Sequence, residues 1–240
     1  MRTYTRFSYR DAAFRLAGER LDVVTAEIVR QREILQAYVA RDPAFLHSLS
    51  PVHPADDAPE VARRMARAAW HVGVGPMAAV AGAMAQAAVE AAQAAGAGEV
   101  IVDNGGDVFL VLRTPAVIAL YAGDTPIAQR LAFRVVPSET PLSICSSSSR
   151  MGHSLSLGDC DLATVVAKDG ALADAAATQA GNLVRTTEDI EPALKRIMAI
   201  PGIRAVLIVK DDRVGLAGDL PQLQKAPGEF DPDVIPRAVP

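Results

Sequence analysis

Apolar positions along this chain change their period several times, and each change marks an element. Ala12, Phe14 and Leu16 alternate with other side chains, so residues 9–17 read as a strand that Gly18 turns. Val24, Ile28, Leu35, Tyr38 and Val39 share one face of a helix over about 24–40, with Pro43 just past its end. Residues 47–58 hold Pro51 and Pro54 and read as a loop; Pro59 then opens a helix with Val61, Met65, Ala68 and Ala69 on one face. Gly73-Val74-Gly75-Pro76 breaks that helix and leads into an Ala-rich one, about 77–95, closed by Gly96 and Gly98. Strands follow at 100–103, 108–112, 117–122 and 131–136, then a hydroxyl-rich loop at 143–156 and a strand at 162–167. Helices at about 173–184 and 190–200 precede a hairpin of 205–209 and 214–217 around Asp211-Asp212.

Hairpins between helices favour an α+β fold with antiparallel strands packed on the central Ala-rich helix, rather than a parallel α/β sheet. The order helix, glycine, strand, polar turn, strand occurs around 99–110 and again around 202–216, either an internal α–β–β repeat or a chance echo. Length admits one large domain or two small ones; a single domain is expected, with its core at about 9–218 and a Pro-rich tail at 219–240. Half the residues are apolar but only 5% are aromatic, so Ala and Val must fill a fine-grained core. The apolar run at 72–89 has the length of a membrane span, yet Ala dominates it and Gly73, Gly75, Pro76 and Gln86 interrupt it; a buried helix is expected. A net charge of −4 argues against nucleic-acid partners, and no basic run suggests a membrane anchor. Cys145 and Cys160 are too few for a disulfide framework, and no apolar export segment follows the N-terminus, so a cytoplasmic protein with reduced thiols is expected. A homodimer is expected only from the apolar balance.

Four stretches carry candidate chemistry. Asp174 and Thr178 lie four apart at the front of a small-residue helix, which puts a carboxylate and a hydroxyl on one face as half of a hard-oxygen site for Mg²⁺ or Ca²⁺. The plainer reading is that Asp174 caps the helix and Thr178 bonds one turn back. Asn104-Gly105-Gly106-Asp107 is a hairpin turn that also lets a flat or phosphorylated ligand approach the backbone, with Asp107 as its acceptor. Gly73-Val74-Gly75-Pro76-Met77-Ala78 satisfies a dinucleotide pattern, but it follows a helix and Pro76 deletes an N–H; Gly75 and Ala78 still line a pocket by their backbone in one reading. Ser148, Arg150, His153 and Ser154 fall in the hydroxyl-rich loop and suit phosphate or ribose oxygens, although no nucleophile elbow is present.

Taken in order, these phrases resemble the ApbE-type FAD:protein FMN transferases, and more closely a smaller ApbE-like family. The carriers are residues 73–82, Asn104-Gly105-Gly106-Asp107, Gly152-His153-Ser154-Leu155-Ser156 and Ala173-Asp174-Ala175-Ala176-Ala177-Thr178, within a similarity spanning about 9–218. The resemblance implies an ApbE-like, T-fold-like architecture. It implies Mg²⁺ on Asp174 and Thr178 with a carbonyl near Ala78, and FAD across the site with its pyrophosphate at the metal. His153 matches the transferase histidine, so the resemblance assigns catalytic roles to His153 and Asp174. Gly75, Ala78, Asn104, Gly105, Gly106, Asp107, Ser148, His153 and Ser154 are the implied nucleotide contacts, and a protein would receive FMN. Two positions depart from the transferases: Ser154, Leu155 and Ser156 replace an acid and a proline after the histidine, and Ala79 and Val80 stand where a Lys-Gly pair is usual. FMN transfer and FAD pyrophosphate hydrolysis therefore stand beside a non-catalytic accessory role, which the smaller family's loose link to sulfur assimilation and homocysteine formation keeps open.

Overall fold

The computed structural model describes residues 2–120, 131–149 and 158–226. Eight strands, four hairpins laid side by side in chain order, form one antiparallel sheet. They come as the hairpins β1 (Thr5–Tyr9) with β2 (Ala12–Gly18), β3 (Val100–Asn104) with β4 (Asp107–Val111), β7 (Leu142–Ser147) with β8 (Leu162–Ala167), and β9 (Ile203–Lys210) with β10 (Arg213–Gly218). Helices α1 (Leu21–Arg41), α2 (Pro43–His47), α3 (Glu60–Val72) and α4 (Val80–Ala94) separate β2 from β3. Helices α5 (Gly170–Leu183) and α6 (Ile190–Met198) separate β8 from β9. Each half of the sheet is thus a hairpin, a helical segment and a second hairpin. The α4–β3–β4 and α6–β9–β10 stretches occupy opposite halves, each helix packed on its own hairpin.

Strand alternation divides the core. Phe14, Leu16, Val100, Val102 and Phe109 meet α1 and α4, while Cys145, Ala163, Val165, Val206 and Ile208 meet the cluster that includes α3 and α5. Ile101, Val108, Leu110, Leu142, Ile144, Leu162, Leu207 and Val209 point the other way. There a second sheet, in the order β11 (Gln222–Lys225), β6 (Leu131–Val135), β5 (Ala116–Ala119), contributes Ala116, Ile118, Phe133 and Val135.

The antiparallel α+β expectation holds, with five local corrections. The first strand is a hairpin, because Arg10 takes a left-handed φ of 55° and reverses the chain after Tyr9. A short helix, α2, follows Pro43: Asp42 caps it by accepting the Phe45 N–H at 3.1 Å. The Ala-rich helix begins with a 3-10 turn at Pro76–Ala79 before α4. Residues 143–147 of the expected hydroxyl-rich loop belong to strand β7, at the centre of the sheet, and 150–156 lie outside the described residues; the buried Ser143 Oγ donates to Val108 O at 3.1 Å. The tail begins by pairing, since Gln222–Lys225 is a strand against β6.

Among the described residues no single helix is long and apolar enough to cross a membrane. α3 and residues 76–94 pass by length and composition only as a pair bent by 105°. Gly75 lies near that bend with no room for a side chain: a Cβ would come within 1.8 Å of Ser48 O.

Candidate functional site

The site forms where α4 and α5 cross above the β3–β4 turn. Gly82 and Gly170 set the crossing, for a Cβ on Gly82 would lie 2.1 Å from Gly170 O and one on Gly170 2.5 Å from Gly82 O. Helix α5 starts earlier than the sequence suggests, at Gly170. Asp169 caps it by accepting the Leu172 N–H at 3.0 Å, and Gln86 Oε1 accepts the Gly170 N–H at 2.6 Å. Asp174 therefore sits one turn inside α5 rather than at its cap. Its Oδ2 accepts the Gly82 N–H at 2.9 Å and the carboxylate also takes the Ala81 N–H, so Asp174 serves the first turn of its neighbour, α4. Thr178 lies one turn further along α5, half-buried.

The β3–β4 turn brings the second carboxylate. Asn104 pairs with Asp107, and the loop residues with positive φ are Gly105 (68°) and Gly106 (106°), so the glycine pair rather than Asn-Gly makes the turn. Asn104 Nδ2 donates to Ala81 O at 3.3 Å, tying the turn to the start of α4. Asp107 opens β4 on the helix-facing side; the Cys145 thiol and the Ser146 N–H supply its carboxylate, yet its buried Oδ1 has no partner among the described residues.

Both acids are buried, Asp174 at 8% and Asp107 at 9% exposure. Loss of hydration pushes Asp174 up to about 7, against the pull of the two α4 N–H groups. Burial likewise drives Asp107 well above the usual carboxylate range, and the charge of Asp174 adds to it. Burial beside these acids also raises Cys145 far above an ordinary thiol, so it is a proton-holding neighbour rather than a nucleophile.

The donor set suits a hard divalent ion. Mg²⁺ is held by one or two carboxylates with the rest of its shell from water and phosphate, and buried acids that oppose each other's ionisation are stabilised by such a charge. Among the described residues no group of three or more His, Cys, Asp or Glu side chains could hold a metal, so an ion on Asp107 and Asp174 would take the rest of its shell from outside these side chains. The unpartnered Asp107 Oδ1 is the observation that admits the ion.

Of the sequence candidates, Ala78, Asn104, Gly105, Gly106, Asp107 and Asp174 fall on connected elements around the start of α4, with Thr178 next along α5. Ser148 is buried just past β7, where neighbouring Ser149 Oγ accepts the Cys160 N–H at 2.9 Å. His153 and Ser154 lie outside the described residues. Gln86 and the Gly82–Gly170 contact carry no local signal, and Cys145, at the head of the hydroxyl-rich stretch, stands as a buried neighbour of Asp107. Alternation of Leu142, Ser143, Ile144 and Cys145 carried the signal that placed Cys145 on the Asp107 side of a strand.

The hairpin–helices–hairpin sheet with its crossing helices has the fold of solved ApbE proteins. A variant of the flavin transferase ApbE from Vibrio cholerae superposes with a TM-score of 0.57 at 12% identity, covering 90% of this chain and 97% of its own. The ApbE protein from Thermotoga maritima superposes at 0.54 with 11% identity, over 94% of this chain and 97% of its own. More particularly, the chain belongs to the family described as AbpE bacteria, whose model matches residues 13–209. The UPF0280 protein of Methanocella arvoryzae is 42% identical over 204 residues, 85% of this chain and 83% of that protein. The UPF0280 protein of Methanopyrus kandleri is 43% identical over 199 residues, 80% of this chain and 79% of that protein.

Proposed function

We propose that this protein binds a flavin dinucleotide together with Mg²⁺ at the α4–α5 crossing and acts on its pyrophosphate. The reading is carried by the buried pair Asp107 and Asp174, with an orphaned Oδ1, at the start of α4 in an ApbE-like fold. Mg²⁺, held by Asp174 and Thr178 with Asp107 beside them, would supply Lewis acidity toward a phosphoryl oxygen. The chain's own groups orient the nucleotide. Gly105 and Gly106 offer a backbone without side chains, and Asn104 holds that turn against α4. The Gly82 and Ala81 N–H groups fix the Asp174 carboxylate in one rotamer before any ligand arrives. The Vibrio cholerae protein of this fold is a flavin transferase, which favours transfer of a flavin group over simple hydrolysis.

A second reading, a nucleotide-binding accessory protein without turnover, is favoured by Ala79. It is fully buried, one of the small apolar residues in the stretch where the resemblance to the transferases implies a Lys-Gly pair, so that cation would be missing here. Calorimetric titration of FAD with and without Mg²⁺, followed by mass spectrometry for AMP and FMN, separates the two. Mg²⁺-dependent binding with AMP release supports the enzyme, and binding without AMP supports the accessory role. An Asp174→Ala protein whose FAD affinity keeps the same Mg²⁺ dependence as the unaltered protein would overturn the metal assignment.

A further inference from the structure

The last strand of a sheet carries a row of N–H and C=O groups that need a partner or protection, and β10 ends the eight-stranded sheet. Its register with β9 fixes which groups point outward. The Asp219 N–H donates to Arg204 O at 3.0 Å, while Val209 O turns to the other side of β9 and accepts the Asp161 N–H at 3.1 Å. Arg213, Gly215 and Ala217 share the parity of Asp219 and bond β9. Val214, Leu216 and Gly218 therefore turn their N–H and C=O groups to the open edge, where no strand pairs them among the described residues.

This edge lacks the usual protection. Between Arg213 and Asp219 it reads Val214-Gly215-Leu216-Ala217-Gly218, with no lysine, proline or charge. Val214 and Leu216 are 38% and 48% exposed, yet they stand opposite Val209 and Leu207, which are fully buried in the apolar layer beneath the small sheet. That layer thus runs out to the edge and is left uncovered there. On the other face Gly215 lies close under α6, where a Cβ would come within 2.2 Å of Ile190 Cγ2.

We propose that β10 pairs antiparallel with β10 of a second copy of this chain, about a two-fold axis at Leu216, joining two sheets into one. The strand is self-complementary in that register. Leu216 faces its own copy, Val214 faces Gly218, and Arg213 faces Asp219 at each end, while every outward N–H meets an outward C=O. An axis at Gly215 also matches the outward groups and sets Val214 against Leu216. It brings Asp211 against Asp219 at both ends, however, and like charges directly opposite are unfavourable. Charge selects the Leu216 register. Asp219 holds Arg204 at 2.9 Å by Oδ2 and its side chain is still 82% exposed. Arg213 is exposed too, its charge reaching Glu188 within the chain.

The test is sedimentation equilibrium of the full chain over the micromolar range, where a dimer of the 25.3 kDa chain is expected. Leu216→Lys, at an exposed position, sets two ammonium groups face to face and should give a monomer with unchanged circular dichroism. Arg213→Glu should raise the dimer dissociation constant at least about tenfold, since it turns an attraction into a repulsion at both ends, and adding Asp219→Lys should restore it. Leu216→Cys should form an interchain disulfide on mild oxidation. Val214→Cys should not, because four residues of offset hold it about 13 Å from its own copy. The native thiols are buried and do not compete. A monomer at every concentration would mean that another segment or another protein covers this edge, and would overturn the pairing. A dimer that survives Leu216→Lys, or one that cross-links through Val214→Cys and not Leu216→Cys, would overturn it as well.

Discussion

Asp107 and Asp174 show how one residue acquires its character from neighbours far away in the chain. Each carboxyl is raised by burial, so the folded protein holds protons at pH values where the unfolded chain has released them. Folding then takes up protons, and stability falls as pH rises from the unfolded range near 4 toward about 7, the folded value of Asp174. Urea unfolding in EDTA should give a lower stability at pH 8 than at pH 5.5, and Asp107→Asn should flatten that slope; an unchanged slope would mean the pair does not oppose each other's ionisation. The two thiols have the same origin. Cys145 and Cys160 are buried, with Cys160 pushed up to about 12. Both should resist an aromatic disulfide reagent in the folded protein and react within minutes in denaturant, and rapid labelling of the native state would contradict their burial.

At the scale of elements, the α4–α5 crossing joins stability to the site. Gly82→Ala places a methyl 2.1 Å from Gly170 O and 2.8 Å from Asp174 Cβ, so the helices must move apart. Overpacking of this kind costs about 1–3 kcal/mol, and the Asp174 carboxylate would leave the α4 N–H groups with the displaced helix. Urea unfolding should register that loss and calorimetry a weakening of the proposed FAD binding. Gln93→Ala, on the exposed side of the same helix, should change neither. Trp70 lies on the exposed face of α3 against His53, with ring centroids 4.6 Å apart, and offers a fluorescence probe remote from the crossing.

The whole molecule depends on a short segment near its C-terminal end. Strand β11 is the third strand of the small sheet and pairs β6 from Gln222↔Arg134 to Lys225↔Leu131. Removing residues 220–240 would leave β5 and β6 as a bare hairpin over the Ile118 and Phe133 cluster, and a two-stranded hairpin is marginal in water. The truncated protein should melt several degrees lower while the α4–α5 crossing, on the opposite face, keeps the FAD affinity proposed for it. Retention of the full melting temperature would show that β11 adds nothing to the fold.

Period and punctuation made most elements legible: the alternation in Ala205 to Val209, the helical spacing of Val61, Met65 and Ala68, and the breaks at Gly73 and Gly96 all follow from local geometry. The same locality explains the misreadings. Serines in Leu142–Ser147 look like loop until a carbonyl on a neighbouring strand accepts one hydroxyl, and Asp174 looks like a cap until α4 takes its carboxylate. Sequence alone determined the α+β class, the likeness to a family, and the acids and glycines a site needs, because these depend on residue type and spacing. Tertiary structure alone decided that Asp107 and Asp174 share one buried place and that Asp103 faces away from them. Those facts depend on strand register and on how closely two helices approach, which no local stretch of chain encodes.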